Sequence, residues 1–232
     1  MAFARRLAAI IFIVAVPVLL ITTNVRILTS EVRFYERGFR EHDAEATTGI
    51  ALEELDRAAS EIVAYFEDDR ETLRIVVEED GDEVSLFDER ETEHMEDVKG
   101  LMRLVYRLNE FTIAYVLAYV GLAALWAGER SLRQVARDAL FGLAVGLGVV
   151  LVVGLLAVVG FDATWNQFHE LAFRNDFWQL DPDTDHLIQM FPEPFWEQAT
   201  YLVGVLVVVE GLGVAAVAGA YLLRTRERPT GA

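Results

Sequence analysis

The chain has 232 residues, a formal net charge of −17, and 53% hydrophobic beside 25% charged residues. That mixture predicts apolar spans joined by very polar connections. The acidic balance argues against nucleic acid as a partner, because phosphate binding needs clustered bases. Since the chain has no cysteine, disulfides, thiolate nucleophiles and cysteine-bound metals are excluded.

Four apolar runs are long enough to cross a hydrocarbon core of about 30 Å as helices. They are continuously apolar and do not alternate as barrel strands do. The runs cover residues 7–23, 111–128, 139–160 and 200–223. We therefore expect an α-helical integral membrane protein with four transmembrane helices and a small extracytoplasmic α+β cap.

Arginines flank these spans on one side. They are Arg5 and Arg6, then Arg130, Arg133 and Arg137, then Arg224, Arg226 and Arg228. Short basic flanks mark the cytoplasm, so both termini are predicted to be cytoplasmic. Since no small-x-small site follows Leu20, we expect the first span to be an uncleaved anchor rather than a secretory signal.

The expected organisation follows the chain in five segments. Residues 1–23 form transmembrane helix 1, residues 24–109 the extracytoplasmic cap with a first histidine motif, residues 110–160 transmembrane helices 2 and 3 with a cytoplasmic connection at 128–138, residues 161–198 an aromatic-rich interfacial loop with a second histidine motif, and residues 199–232 transmembrane helix 4 and a cytoplasmic tail.

Within the cap, Thr48 is expected to cap an amphipathic helix that runs to Phe66. Two short strands at 73–77 and 83–87 flank an Asp80-Gly81 turn. Asp88, with an acid three residues later, predicts a capping box and a helix that continues into the second span.

On that helix Glu91, His94 and Asp97 are spaced three apart and share one face. A carboxylate beside an imidazole can fix its tautomer and stabilise the imidazolium, as a general base requires. The alternative interpretation is a solvated charged face.

The segment 161–198 carries nine aromatic residues. Aromatic rings between two spans indicate an interfacial segment, and His169 shares a helical face with Phe173. The alternative is a purely structural belt. Asp181-Pro182 predicts a helix start that runs to about Met190.

The acids at Asp181, Asp183 and Asp185 invite a metal interpretation. The calcium loop needs Gly at position six and Glu at position twelve, where this chain has His186 and Pro192. A zinc site with His169 or His186 lacks a diagnostic spacing. We therefore expect no metal site.

Several blocks together resemble the bacterial lipoprotein intramolecular transacylase (Lit) family of integral membrane proteins. The blocks are Phe87-x-x-x-Glu91-x-x-His94-Met95-x-Asp97-Val98-Lys99, Phe168-His169, Asn175-Asp176-x-Trp178, Asp181-Pro182-x-x-Asp185-x-Leu187-Ile188 and Phe191-Pro192-Glu193-x-Phe195-Trp196. The four spans agree with it, whereas the acidic cap offers little to match beyond Tyr35 and Tyr65.

The resemblance implies an acyltransferase that moves the sn-2 acyl chain of a diacylglyceryl lipoprotein to the α-amino group of its N-terminal cysteine, giving the lyso-form. The catalytic histidines would be His94 and His169. Supporting residues would be Glu91, Asp97, Lys99, Asn175, Asp176 and Asp181, and substrate-binding residues Phe168, Phe173, Trp178, Phe191, Phe195 and Trp196. The partners would be the lipoprotein and membrane lipids, and ester-to-amide transfer needs no metal or redox cofactor.

Three other functions compete with this one. A serine lipase is disfavoured, because none of the four serines lies in a Gly-x-Ser-x-Gly pattern. A metal-dependent membrane hydrolase and a non-enzymatic receptor or assembly factor with the acidic cap as its binding surface stay open.

An acid also lies within the fourth span. Carboxyl groups at this depth usually face the bundle interior, so Glu210 is predicted to face other helices, with Tyr119 as its hydrogen-bond partner.

Overall fold

The computed structural model describes residues 2–79, 81–126 and 128–226; Asp80 of the predicted turn and Arg228 of the predicted basic flank lie outside them. The elements in chain order are α1 (Ala2–Thr29), α2 (Val32–Glu41), α3 (Ala44–Thr48), α4 (Leu52–Glu67), β1 (Val76–Glu79), β2 (Asp82–Ser85), α5 (Glu89–Trp126), α6 (Gly128–Ala172), α7 (His186–Met190) and α8 (Glu193–Arg226). They form two compact units.

The first unit comprises Met1–Val25, Tyr106–Leu155 and Leu202–Ala232. Within the described residues, four helices are long and apolar enough to cross a membrane: α1, α5, α6 and α8. These helices confirm the predicted α-helical integral membrane protein. A helix suits this environment, since it satisfies its own backbone polar groups where lipid offers no partners. Each helix is longer than its predicted span, and α1 continues to Thr29 instead of ending at Thr23.

Small residues allow α1 and α6 to approach closely. A Cβ on Gly142 would lie 2.6 Å from the carbonyl oxygen of Ile13, and one on Gly146 would lie 2.8 Å from Cβ of Pro17. Small residues four apart are typical of tight helix pairs in membranes. Close by in the same unit, Phe12 stacks on Tyr119 with ring centroids 4.5 Å apart.

The prediction for Glu210 is half right. Its side chain is partly buried and faces α1, where Oε2 accepts a 2.8 Å hydrogen bond from Nδ2 of Asn24. Tyr119 is the wrong partner, since its ring stacks on Phe12 and Tyr115. The apolar run that predicts the first span ends at Thr23, whereas α1 continues to Thr29 and so includes Asn24.

The second unit comprises Arg26–Val105 and Leu156–Tyr201. Its core is a cluster of buried apolar side chains from the short helices, the hairpin, the start of α5, and α7 and α8. Residues of α4 contribute Leu55, Ala58, Ala59, Ile62, Tyr65 and Phe66. Their helical spacing explains why this face of α4 is buried.

The helix cap and the hairpin predicted in this unit differ in part from the structure. Thr48 does not cap α4; it ends α3, where its hydroxyl donates to the carbonyl of Ala44 at 2.7 Å, and α4 begins at Leu52. The hairpin strands lie nearer to the turn than predicted and are each one residue shorter, with Val76 opposite Ser85. Gly81 adopts φ +89° at the turn between the strands, a conformation that favours glycine.

Two further departures shape the histidine segments. Helix α6 is interrupted at Gly160, which is extended (φ −179°, ψ 93°), and resumes to Ala172. The hydroxyl of Thr164 lies 3.0 Å from the carbonyl oxygen of Gly160 and 3.3 Å from that of Leu156, so it reaches across the break. Helix α7 starts at His186 rather than after Asp181, because Oδ2 of Asp185 accepts the amide of Asp181 and closes a turn there.

Candidate active site

The first histidine motif begins with the predicted capping box. The amide of Glu91 donates to Oδ1 of Asp88, and the amide of Asp88 donates to Oε2 of Glu91, both at 2.7 Å. The other oxygen of Glu91 accepts the backbone amide of Leu187 at 2.6 Å. Glu91 therefore ties the start of α5 to α7. Both of its oxygens bond to backbone amides, so it does not orient an imidazole, in contrast to the prediction.

One turn later on α5, His94 is 6% exposed. Its ring meets His169 of α6, with centroids 5.9 Å apart and planes at 39°. His169 is itself 7% exposed. Two imidazoles 75 positions apart in sequence thus face each other inside one unit.

The tautomer of His169 follows from its hydrogen bond. Nδ1 lies 2.9 Å from the carbonyl oxygen of Trp165, and a carbonyl can only accept. Nδ1 therefore carries the hydrogen, so Nε2 of the neutral ring holds the lone pair. By contrast, Nδ1 of His94 is buried and has no hydrogen-bond partner among the described residues.

Aromatic rings enclose His169. Its centroid distances are 4.6 Å to Trp165, 5.2 Å to Phe168, 5.5 Å to Phe173 and 5.0 Å to Trp178, with Trp178 stacked on the imidazole. Phe173 also packs edge-on against His94 at 5.1 Å. These rings exclude water from both imidazoles.

Burial keeps both histidines neutral near pH 7. It lowers the pKa of His94 to about 4, with the charge of His169 acting in the same direction and Asp97 opposing it. Burial also lowers the pKa of His169, against the hydrogen bond to Trp165. Since each imidazolium disfavours the other, the pair holds at most one proton readily.

Asp97 is the half-buried carboxylate that acts on His94. Its Oδ2 accepts a 2.7 Å hydrogen bond from the side-chain amide of Asn175, whose own Oδ1 accepts the amide of Phe177 at 3.2 Å. The predicted support residues Asp97 and Asn175 are therefore brought together. Asp176 takes part through its backbone carbonyl, which accepts from Arg90 at 3.0 Å.

Lys99 is placed elsewhere in the second unit. Its ammonium contacts Oδ1 of Asp68 at 3.2 Å, donates to the carbonyl of Arg70 and lies 3.8 Å from the ring centroid of Tyr65. Burial first, then the charges of Glu96 and Asp68, raise the pKa of Tyr65 to about 12. These contacts place Lys99 at the 68–70 loop, and none of them reaches the histidines.

Asp181 shapes a turn. Its Oδ1 accepts the amide of Asp183 at 3.0 Å, and its carbonyl accepts the amide of Asp185 at 2.8 Å. Across the described part of the chain, no group of three His, Cys, Asp or Glu side chains is arranged to hold a metal ion.

The predicted substrate-binding aromatics separate into two sets. Phe191 and Phe195 are buried in the core against Tyr35, at 5.8 and 6.3 Å between centroids, and offer no surface to an acyl chain. Phe168, which is 40% exposed, and the half-buried Trp178 border the histidines. Trp196 stacks at 5.0 Å on Trp165.

Two residues of the site had not been singled out from the sequence. Trp165 lies four positions before His169, and this helical spacing signals that it shares the histidine's face. Arg90 offers no such signal, because its acceptors are backbone carbonyls 86 and 89 positions away.

The fold is similar to solved structures of one membrane enzyme. The lipoprotein intramolecular transacylase Lit from Bacillus cereus superposes with a TM-score of 0.79 at 15% identity, covering 98% of this chain and 100% of that one. A form of the same protein with a histidine-to-alanine substitution gives 0.77 at 15% identity, covering 98% and 97%.

Sequence comparison extends the likeness. An uncharacterised protein of Aquifex aeolicus is 26% identical over 211 residues, covering 90% of this chain and 91% of the relative. The family model described as lipoprotein intramolecular transacylase Lit matches residues 10–196, most of the chain and both histidine motifs. The chain therefore belongs to the Lit family of lipoprotein intramolecular transacylases and is an acyltransferase of the membrane.

Proposed function

We propose that His94 and His169 together carry the proton in this transacylase reaction. In the proposed reaction, the sn-2 acyl chain of a diacylglyceryl lipoprotein moves to the α-amino group of its N-terminal cysteine, which yields the lyso-form lipoprotein. The observation that carries the proposal is the facing of two buried imidazoles from α5 and α6, 5.9 Å apart.

The chemistry requires one proton to change place. The α-amino group, with a reference pKa near 8, reacts in its neutral NH2 form, and its nitrogen gives up one proton as it attacks the ester carbonyl. The C–N bond forms, the bond between the carbonyl carbon and the glycerol sn-2 oxygen breaks, and that oxygen takes up a proton. The reaction consumes no water, and the proton removed from nitrogen is the one gained by oxygen.

The two imidazoles can take different roles, because the hydrogen bond of His169 leaves its second ring nitrogen with a lone pair. His169 directs its Nδ1–H to the carbonyl of Trp165, so we assign Nε2 as the base that receives the amine proton. His94, which is neutral at the start, takes over that proton from His169 and donates it to the departing oxygen. The lowered pKa of His94 makes its imidazolium a strong donor, and the mutual repulsion of two charged rings favours passage of a single proton.

Asp97 and Asn175 support this transfer from the side of His94. The carboxylate raises the pKa of that imidazole against burial, and the amide fixes one carboxylate oxygen. Phe168, Phe173, Trp178 and Trp196 supply apolar surface for acyl chains and keep water from the ester. Holding both reacting groups within one substrate contributes a large effective molarity.

We further propose that both termini are cytoplasmic and that the histidine pair serves the extracytoplasmic leaflet. The support is the clustering of arginines in the short flanks and in the 128–138 connection. The connections 24–109 and 161–198 carry the net negative charge and would lie outside. Membrane lipids and the lipoprotein substrate are the partners that this arrangement implies.

Substitution of single histidines tests the pair. We expect His94→Asn and His169→Asn each to lower the rate of acyl migration by about 10² to 10⁴, the usual cost of one proton-transfer group. Because the transfer leaves the mass unchanged, tandem mass spectrometry of the N-terminal lipopeptide must locate the acyl chain on nitrogen or oxygen.

His42→Asn and His186→Asn are matched controls. Nδ1 of His186 is 2.8 Å from the carbonyl oxygen of Leu86 and the ring of His42 packs near Phe195, so neither contacts the pair and both variants should keep full activity. Near-normal lyso-form production by a folded H94N/H169N double variant would refute the proposal.

A further inference from the structure

The segment between α6 and α7 forms a loop beside the histidine pair. The amide of Gln179 donates to the carbonyl of Asp176 at 3.1 Å, and the amide of Leu180 donates to the carbonyl of Trp178 at 3.0 Å. The loop thus consists of tight turns without a helix or strand, and its position depends on contacts made to other elements.

Arg90, in the first turn of α5, makes two of these contacts. Its Nη2 donates to the carbonyl of Asp176 at 3.0 Å and also to the carbonyl of Gln179. One guanidinium therefore joins both ends of the turn that carries Trp178. A charged donor on a neutral carbonyl makes a stronger bond than a neutral donor does.

Two further contacts made by the same loop reach the active site. Trp178 stacks on His169 at 5.0 Å with planes at 28°, and Asn175 holds Asp97 at 2.7 Å. Arg90 and Asp97 are seven positions apart on α5 and so lie on one face, two turns apart. The loop is fastened to that face on either side of His94.

We propose that Arg90 is a positioning residue of the transacylase, which fixes the 175–179 loop so that Trp178 covers His169 and Asn175 meets Asp97. This inference rests on the proposed role of the histidine pair. Arg90 touches neither imidazole in any contact of the structure's described part; it acts through the loop.

Because Arg90 fixes the loop, Trp178 keeps the imidazole of His169 enclosed. When the guanidinium is removed, water replaces it as the hydrogen-bond donor to the two carbonyl oxygens. The loop then becomes more mobile, and Trp178 is stacked on the imidazole for only part of the time. Water then reaches the ring. Displacement of a reacting group by about 1 Å costs on the order of 10²-fold in rate, so we expect Arg90→Ala to lower kcat by about 10- to 100-fold, with a smaller change in KM.

The test combines kinetics with a signal from Trp178 itself. The protein is labelled with 5-fluorotryptophan, and its ¹⁹F spectrum is recorded in detergent micelles, with the Trp178 resonance assigned through a Trp178→Phe variant. We expect Arg90→Ala to move the Trp178 resonance and lower kcat, and Arg90→Lys to restore part of both, because an ammonium can still reach a carbonyl.

The acid limb of the rate profile gives a third readout. Since burial is the main cause of the lowered pKa of His169, added water raises that pKa, and the limb of R90A should shift toward pH 6.5. Arg174→Ala is the matched control, because this exposed base in the same segment makes no hydrogen bond to any described residue. It should resemble the wild type in all three measurements.

The outcomes separate this inference from the proposed function. An unchanged Trp178 resonance in R90A, or a moved resonance with a wild-type kcat, overturns the positioning role. An active H94N/H169N variant overturns the histidine mechanism, whereas the effect of Arg90 on the Trp178 resonance is measured without any reaction. That R90A is folded is verified by a single cooperative thermal unfolding transition, as in R174A.

Discussion

Nδ2 of Asn24 donates a 2.8 Å hydrogen bond to Oε2 of Glu210 and so joins α1 to α8. The same Nδ2 donates to the carbonyl of Leu20 at 2.9 Å, and Asn24 is 2% exposed. In an apolar bundle a polar group without a partner is costly. This pair therefore specifies how two of the apolar helices meet.

We expect Asn24→Leu to destabilise the protein by about 1 kcal/mol, within the range for interhelical hydrogen bonds in membranes. Glu210→Gln should be milder, because the amide oxygen still accepts from Asn24. The midpoint of thermal unfolding in detergent micelles measures both. Equal stability of N24L and the wild type would contradict the structural role of this bond.

A second prediction concerns Gly38 of α2. A Cβ at this position would lie 2.5 Å from Cδ2 of Phe195, whose ring is fully buried. Because the ring has no space to retreat, Gly38→Ala should cost about 1 to 3 kcal/mol, as overpacked cores do.

Gly100→Ala is the matched control for Gly38. It lies inside α5, where a Cβ would meet nothing within 4 Å, and replacement of a helical glycine by alanine stabilises by roughly 0.5 to 1 kcal/mol. A double variant, G38A with Phe195→Leu, should recover part of the loss. If G38A unfolded at the same temperature as G100A, the close contact would be wrong.

The third prediction concerns Asp97. Its charge raises the pKa of His94, so Asp97→Asn should lower that pKa further, which the NMR titration profile of the imidazole measures. It should also lower the maximal rate by about 10-fold or more, since second-sphere partners of a functional histidine have effects of that size. Glu93→Gln, one residue before His94, is the control and should leave the profile unchanged.

A fourth prediction is the pH dependence of folding stability. The folded pKa of His94 is about 4 and the ordinary value is 6.5, so between these values the unfolded chain binds more protons. The free energy of unfolding therefore falls as the pH drops from 6.5 toward 4, by a few kcal/mol from His94 alone. The lowered pKa of His169 acts in the same direction.

Glu91 has the opposite effect, because burial raises its pKa and the folded state then gains protons first as the pH falls. Comparison with His94→Asn isolates the histidine: the difference in unfolding midpoint between wild type and H94N should shrink or reverse sign from pH 7.5 to pH 4.5. A difference that is constant with pH would mean that His94 is not buried in its neutral form.

The sequence by itself determined the four spanning helices and the capping box at Asp88 and Glu91. These depend on local properties: twenty or so apolar residues in a row, or two side chains three positions apart that bond to backbone amides in their own turn. The local pattern at Thr48 gave a wrong prediction, because one hydroxyl can either cap a following helix or close a preceding one. In the packed structure of α3 and α4, the Thr48 hydroxyl closes the preceding helix, α3.

Only the tertiary structure decided which partners these residues meet. Glu91 was predicted beside an imidazole from its position on α5, but its free oxygen bonds to the amide of Leu187, 96 positions away. Asn24 with Glu210, and Arg90 with two carbonyls, are also long-range pairs. No periodicity carries information about such contacts, because they depend on how distant segments pack. The sequence marked His94 and His169 as candidates, whereas burial and the surrounding rings, which set their pKa values, exist only in the folded chain.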